Sequence, residues 1–152
     1  MSAPSAAARA AAAYAAFTAA HEIGDYLVQR DTDAADKGKP GREGRAACAR
    51  HCLSYTATQG LALYAANKLF AMRLRPSRAI AGLALSGLTH YAVDRCAKHW
   101  TETGSDAPAL VRAAHAIGKE KWLTRDPQAP ALLDQALHKG LVAVAAAVAA
   151  GR

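Results

Sequence analysis

The chain is poor in the residues that build sheets, stacking platforms and disulfide frameworks. β-Branched residues do not alternate with polar ones, and glycine and proline gather at a few breaks, which favours helices almost throughout. Aromatics are scarce, five Tyr, two Trp and two Phe, and are not interleaved with basic residues as a base-stacking surface requires. A dedicated single-strand nucleic-acid binder is therefore disfavoured. The three cysteines, Cys48, Cys52 and Cys96, are odd in number and contain no C-x-x-C pair, which speaks against a disulfide framework or zinc ribbon. Cys48 and Cys52 share a helical face beside His51 and are expected as small packing residues. A reducing compartment, the cytoplasm, fits this usage.

Long apolar runs are missing as well. A membrane span needs roughly 18 consecutive apolar residues, but AIAGLALSGLT meets His90, GLVAVAAAVAAG follows His138 and Lys139, and GLALYAANKLF contains Asn67 and Lys68. Full spanning is not expected; contact with a membrane surface, and so association with the inner membrane, stays open. The N-terminal MSAPSAAARAAAAYAAFTAA resembles a signal peptide in composition but has no credible cleavage site, and is expected as a mature helix. No P-loop, G-x-S-x-G or other nucleophile motif occurs.

What is present is alanine, leucine, basic charge and a small set of histidines. A length of 152 residues suits one helical domain over residues 1–152. The net charge of +7 predicts attraction to anions, among them nucleotides, phosphorylated metabolites, nucleic acid or acidic lipid. The breaks predict an all-α bundle of four main helices, about residues 4–29, 46–74, 77–100 and 130 onward. Residues 31–45 are expected as a basic loop. Residues 101–130 are expected as an irregular loop, a candidate lid, with a short helix over about 108–117.

Three of these helices carry a His and an Asp four positions apart: His21 and Asp25 in HEIGDYLVQ, His90 and Asp94 in THYAVD, Asp134 and His138 in LDQALH. Four positions place both side chains on one helical face. Chance spacing yields roughly 0.6 such pairs, so three lean toward selection. His51 adds a fourth histidine on the second helix. In the first motif HEIGD, Asp25 stands where an H-E-x-x-H zinc protease has its second histidine, yet beside the other two pairs Asp25 is the regular element and Glu22 the incidental one.

Ionisable groups inside apolar sequence persist when they are paired or bind metal. Imidazoles and carboxylates converging from facing helices suit zinc, manganese or iron, one ion or two. The candidate ligands are His21, Asp25, His51, His90, Asp94, Asp134 and His138, with Asp25, His90 and Asp94 as candidate catalytic groups. Gln29 and Gln135 extend two of the polar faces and are candidates to orient those ligands. A plain hydrogen-bonded His/Asp network remains the alternative. Lys37, Arg42, Arg45 and Arg50 in KGKPGREGRAACAR are candidates to hold substrate phosphate, or are solvated loop charge. His99 and His115 are expected at the surface or in the lid, and Tyr26, Tyr55 and Tyr91 near the polar residues with hydroxyls at the edge.

As a set, HEIGDYLVQ, Lys37, His51, THYAVD and LDQALH resemble a bacterial family of short helical proteins of unknown function. Its pattern is H-x-x-x-D-F-x-x-Q, a lysine, H, T-H-x-x-x-D and D-Q-x-x-H, and the likeness covers about Phe17 to Val144. Members look like small membrane proteins, so the resemblance implies a membrane location, but it brings no activity. The chain is more distantly similar to HD-type helical phosphohydrolases, which bind metal through H…HD…D; the adjacent His-Asp pair is absent here. Together these readings predict a metal-dependent hydrolase acting on a phosphate-containing small molecule such as a nucleotide or phosphodiester. The alternative is a non-enzymatic membrane-associated or anion-binding module.

Overall fold

A computed structural model describes residues 4–151, and among them the chain is helical and without strands. Seven α-helices follow in order: α1 Ala6–Ile23, α2 Asp31–Asp36, α3 Gly41–Leu69, α4 Pro76–Asp94, α5 Ala109–Ala116, α6 Glu120–Arg125 and α7 Ala129–Ala150. A π-helical turn, Gly24–Val28, prolongs α1. The long helices α1, α3, α4 and α7 form the expected bundle, α4 packing along α7 and α1 lying against both α3 and α7.

The differences from the sequence expectation lie at the ends. α1 is capped by Ser5, whose hydroxyl accepts from the Ala8 N–H at 3.1 Å, the side-chain cap that a helix start needs; Ser2 lies outside the described residues. α3 begins at Gly41 and stops at Leu69 instead of running over 46–74. Ala71 and Arg73 take left-handed φ of 47° and 53°, and Asn67 Oδ1 accepts from the Leu74 N–H at 3.1 Å, so a side-chain-braced turn replaces the last helical turn. α4 ends at Asp94, short of Trp100.

The two connections are also more ordered than expected. Within 31–45, Asp31 and Asp33 lie in the first turn of α2, where carboxylates complement the helix dipole. Residues 101–130 hold two short helices rather than one, and they share a core: Trp100, Val111, Leu123 and Ala129 are buried together. This segment is packed onto the bundle by its own apolar residues.

The four long helices divide into two ends. At one, Ala13, Phe17, Leu63, Met72, Val142, Ala145 and Ala149 form an apolar core built largely from alanine. Small side chains let the backbones come close. A Cβ on Gly82 of α4 would stand 2.5 Å from Ala149 Cβ and 2.7 Å from Ala145 O on α7, so only glycine fits at that crossing. At the other end the same helices bury four histidines. By length and composition α7 could cross a membrane, with mean hydropathy 1.3 over its most apolar stretch. Large apolar side chains, Leu27, Leu61, Leu69 and Leu88 among them, stand exposed on the bundle's outside.

Candidate metal centre

The polar end is assembled from the C-terminal part of α1 and its π turn, the first half of α3, the end of α4 and the start of α7. His21, His51, His90, His138 and Asp94 are each buried to 2% exposure or less, and Asp25 keeps only 7% of its side chain exposed. Four-residue spacing does on α4 and α7 what the sequence predicts. On α1 it does so too, His21 and Asp25 meeting across one turn at 3.6 Å, with a π turn closed by the Gln29 N–H on Gly24 O at 3.0 Å just beyond.

Four atoms from three elements converge most tightly. His51 Nε2 and His90 Nε2 are 2.9 Å apart. Asp25 Oδ1 stands 3.4 Å from each of them, and Asp94 Oδ2 stands 3.2 Å from His51 Nε2 and 3.3 Å from His90 Nε2. A divalent ion with bonds of about 2.1 Å spaces neighbouring ligand atoms about 3.0 Å apart in an octahedron and about 3.4 Å in a tetrahedron. The four oxygen–nitrogen separations fall in that interval and the His51–His90 separation lies just below it, and His51, His90 and Asp94 form a group that could hold a metal ion. Asp25 Oδ1 and Asp94 Oδ2 are buried without a hydrogen-bond partner of their own, whereas Asp94 Oδ1 faces the Lys37 ammonium; buried carboxylate oxygens of the first kind call for a cation or a protonated imidazole.

Around this group lie further donors. His138 Nε2 is 3.4 Å from Asp94 Oδ1 and 3.4 Å from Asp134 Oδ2, and the three residues form another cluster able to hold an ion. Trp100 Nε1–H donates to Asp134 Oδ1 at 3.2 Å, so the 101–130 segment touches the centre through the residue that precedes it. His21 Nε2 lies 3.6 Å from Asp25 Oδ2 and hydrogen-bonds Gln135 Oε1 at 3.2 Å, the orienting contact expected of Gln135. Gln29 does not play that part: its Nε2 is buried without a partner, and its backbone is what closes the π turn. Cys48 and Cys52, with sulfurs 4.0 Å apart, join Asp94 in another group that could hold a metal ion.

The phosphate quartet is not brought together. Lys37 turns inward, its Nζ 2.9 Å from Asp94 Oδ1 with 14% of the side chain exposed. Arg50 pairs with Asp33, its Nε donating at 3.2 Å. Arg42 and Arg45 are exposed on the first turns of α3 with no carboxylate partner among the described residues. His99 is part-buried, its ring nitrogens 2.7 Å from Gly38 O and 2.7 Å from Glu102 Oε1, and His115 bonds Trp100 O at 3.0 Å. Both are braces of the connecting segments.

Sequence reasoning undervalued Tyr55. It is fully buried and stacks on His90 with ring centroids 3.7 Å apart and planes 16° off parallel. Its hydroxyl accepts from Gln59 Nε2 at 2.8 Å and meets Ser86 Oγ at 3.2 Å. The signal was its position four residues after His51 on α3, one turn deeper into the bundle. Tyr26, by contrast, is 64% exposed.

Electrostatics follow from burial and neighbours. Burial opposes ionisation of Asp25 and Asp94, but His51, His90 and, for Asp94, Lys37 hold both carboxyls below the ordinary range. Burial disfavours charge on His51, yet Asp25 and Asp94 outweigh it and push its pKa up to about 9. Burial wins at His90, which is lowered, and at His138, lowered to about 3 with His90 and His21 adding to the effect. Burial and the Asp94 charge raise Asp134 to about 6. Burial works against the Lys37 ammonium, and Asp94 more than restores it.

A cavity of about 280 Å³ opens beside the cluster, lined by Tyr26, Lys98, Trp100, Asp134 and Gln135 among others. Lys98 there holds a left-handed φ of 71°, a conformation that costs a lysine about 1 kcal/mol or more and that surrounding contacts must enforce. Its Nζ donates to Ala35 O at 2.7 Å. Two roomier grooves, about 400 and 460 Å³, are apolar and lie between α1 and α3 and between α3 and α4, and another of about 330 Å³ lies further along the α3–α4 side. The chain matches no protein-family model, no curated protein and no solved structure.

Proposed function

We propose that the chain is a metal-dependent hydrolase acting on a phosphate-containing small molecule, a nucleotide or a phosphodiester. The observation that carries this reading is the group formed by His51 Nε2, His90 Nε2 and Asp94 Oδ2, which could hold a metal ion, with Asp25 Oδ1 3.4 Å from both imidazole nitrogens. Two imidazoles and two carboxylates are also the donors that the H…HD…D pattern supplies. Zinc, manganese or iron bound there would supply a Lewis acid for a phosphoryl oxygen and acidify water. Zinc held by four protein ligands is coordinatively closed, whereas manganese or iron in six-fold coordination keeps positions open, so the latter suit turnover better.

In this reading Asp25, His90 and Asp94 are ligands first. The proton carrier is Asp134, at the wall of the 280 Å³ cavity, with a pKa raised to about 6, in the range that suits general acid–base work near neutrality. Tyr26 and Trp100 offer flat apolar walls to a base or other ring, and Lys98 lines the same cavity while its Nζ is held by Ala35 O. Trp100 and Gln135 keep Asp134 and His21 in place.

A panel of nucleotides and phosphodiesters, assayed with added manganese or zinc, tests the activity, and elemental analysis of the purified protein tests the metal. Asp134→Asn is expected to keep the metal and lose about 10²-fold or more in kcat. Absence of stoichiometric metal together with absence of turnover across the panel overturns the reading.

One observation favours a second reading. Nδ1 of His21, His51 and His90 is buried without an acceptor, whereas histidines that ligate through Nε2 usually donate Nδ1–H to one. With the hydrogen on Nε2 the rings would donate to Asp25 and Asp94, giving a metal-free network in a membrane-associated or anion-binding module. That protein would keep its melting temperature in chelator and bind anionic vesicles in a salt-dependent way.

A further inference from the structure

We propose that Lys37 stands in for a second metal ion: the centre takes one divalent cation, and the Lys37 ammonium excludes another. The inference rests on the metal reading above and fixes the number of ions it involves.

Asp94 is placed as a bridging carboxylate would be. Its Oδ2 faces His51 and His90 at 3.2 and 3.3 Å, while its Oδ1 faces the other way, 3.4 Å from His138 Nε2. With Asp134 Oδ2 a further 3.4 Å from His138, these donors outline a second cation position. Paired ions about 3.5–4 Å apart, sharing a carboxylate, are a common hydrolytic arrangement. Here Lys37 Nζ sits 2.9 Å from that same Asp94 Oδ1, and the charges of Asp25 and Asp134 also act to keep it protonated. One cation position is thus filled by the chain itself.

Charge compensation points the same way. Three carboxylates, Asp25, Asp94 and Asp134, set against one ammonium leave two negative charges, which is the charge of one divalent ion. A second divalent ion beside Lys37 would leave the buried cluster with an excess of positive charge, which a buried site tolerates poorly without further compensation.

Lys37 is also fixed where it stands. Arg95, the residue after Asp94, donates to Lys37 O and, at 2.8 Å, to Lys39 O. His99 bonds Gly38 O at 2.7 Å, and Lys98 Nζ reaches Ala35 O at 2.7 Å. A Cβ on Gly38 would lie 2.1 Å from Ala97 O, so the backbones of the two segments touch. The segment leaving α4 thereby straps down the turn that carries Lys37, which holds the base of that side chain beside Asp94.

The test is stoichiometry. Protein stripped with chelator is titrated with manganese(II) chloride, with bound metal measured by elemental analysis and spin coupling by electron paramagnetic resonance. The wild type is expected to bind one ion per chain with the spectrum of isolated manganese, and Lys37→Met two per chain with an exchange-coupled signal; Lys37→Arg is expected to remain at one. Lys37→Gln serves in place of Lys37→Met if that variant does not fold. A wild type that binds two ions overturns the inference alone, as do Lys37→Met and Lys37→Gln variants that stay at one. A wild type that binds none overturns the metal reading and this inference with it.

Discussion

The two ends of the bundle use the same four helices and solve different problems. At the alanine end, Ala13, Ala145, Ala146 and Ala149 are fully buried, and stability comes from close approach: small side chains, no polar atoms, and a glycine where α4 crosses α7. At the histidine end, His21, His51, His90, Asp94 and His138 are equally dry, but each buried charge must be met by another. Shape is the requirement at one end and charge at the other. The alanine end can therefore tolerate chemical change of the right volume, whereas the histidine end cannot lose a single charge without leaving its partners uncompensated.

The sharpest break between the ends is Asp94→Asn. It removes the charge that His51 and Lys37 both face, and such removal from a buried set costs about 3–5 kcal/mol; urea denaturation and metal content should both register the loss. A variant that keeps metal and stability would erase the distinction. Next is Gly82→Ala at the opposite end. The added methyl meets Ala149 and Ala145, an overpacking that costs about 1–3 kcal/mol, while bound metal per folded chain stays unchanged.

The ends should also differ in their response to pH when metal is chelated. His138 has a folded pKa of about 3 against an ordinary 6.5, so its stabilising contribution is present above 6.5 and is lost as pH falls toward 3, at up to about 1.4 kcal/mol per pH unit. His51, raised to about 9, has the opposite sign: its contribution is full below 6.5 and is lost as pH rises through about 9. Asp134, raised to about 6, contributes below 3.8 and loses that contribution as pH rises through about 6, which offsets part of the acid limb. Stability in chelator is therefore expected to peak near pH 6–7. His138→Gln should flatten the fall between pH 6.5 and 4, and a variant with an undiminished fall would show that His138 is not its source. The smallest effect belongs to Arg42→Ala with Arg45→Ala, exposed and unpaired, expected within about 0.5 kcal/mol of wild type. A larger loss by calorimetry would join this basic patch to the polar end.

Much of this was legible in the sequence, for reasons that differ by residue. Four-residue spacing in THYAVD and LDQALH dictates a shared face on any α-helix, so His90 with Asp94 and Asp134 with His138 could be paired before the fold was known. The four-helix order followed from breaks at prolines and glycines. Lys37 was misplaced because a lysine in a stretch of solvated charges looks like its neighbours; only the long-range strap from Arg95, Lys98 and His99 turns it inward. Tyr55 and Gln59 were undervalued because a polar tip on a buried residue has no period of its own. The early stop of α3 was hidden because Ala71 and Arg73, neither a turn former, take left-handed φ in a turn braced by Asn67 Oδ1 on the Leu74 N–H.

The π-helical turn over Gly24–Val28 carries one residue more than a regular helix would need. Such a turn is what a single-codon insertion into an α-helix leaves behind, and losing one codon there would heal the helix. The repaired helix would keep His21 and Asp25 on their shared face but rotate everything after them, α2 and the turn bearing Lys37 included, by about a third of a turn. The extra residue thus sets the register between the His/Asp cluster and the lysine that reaches it.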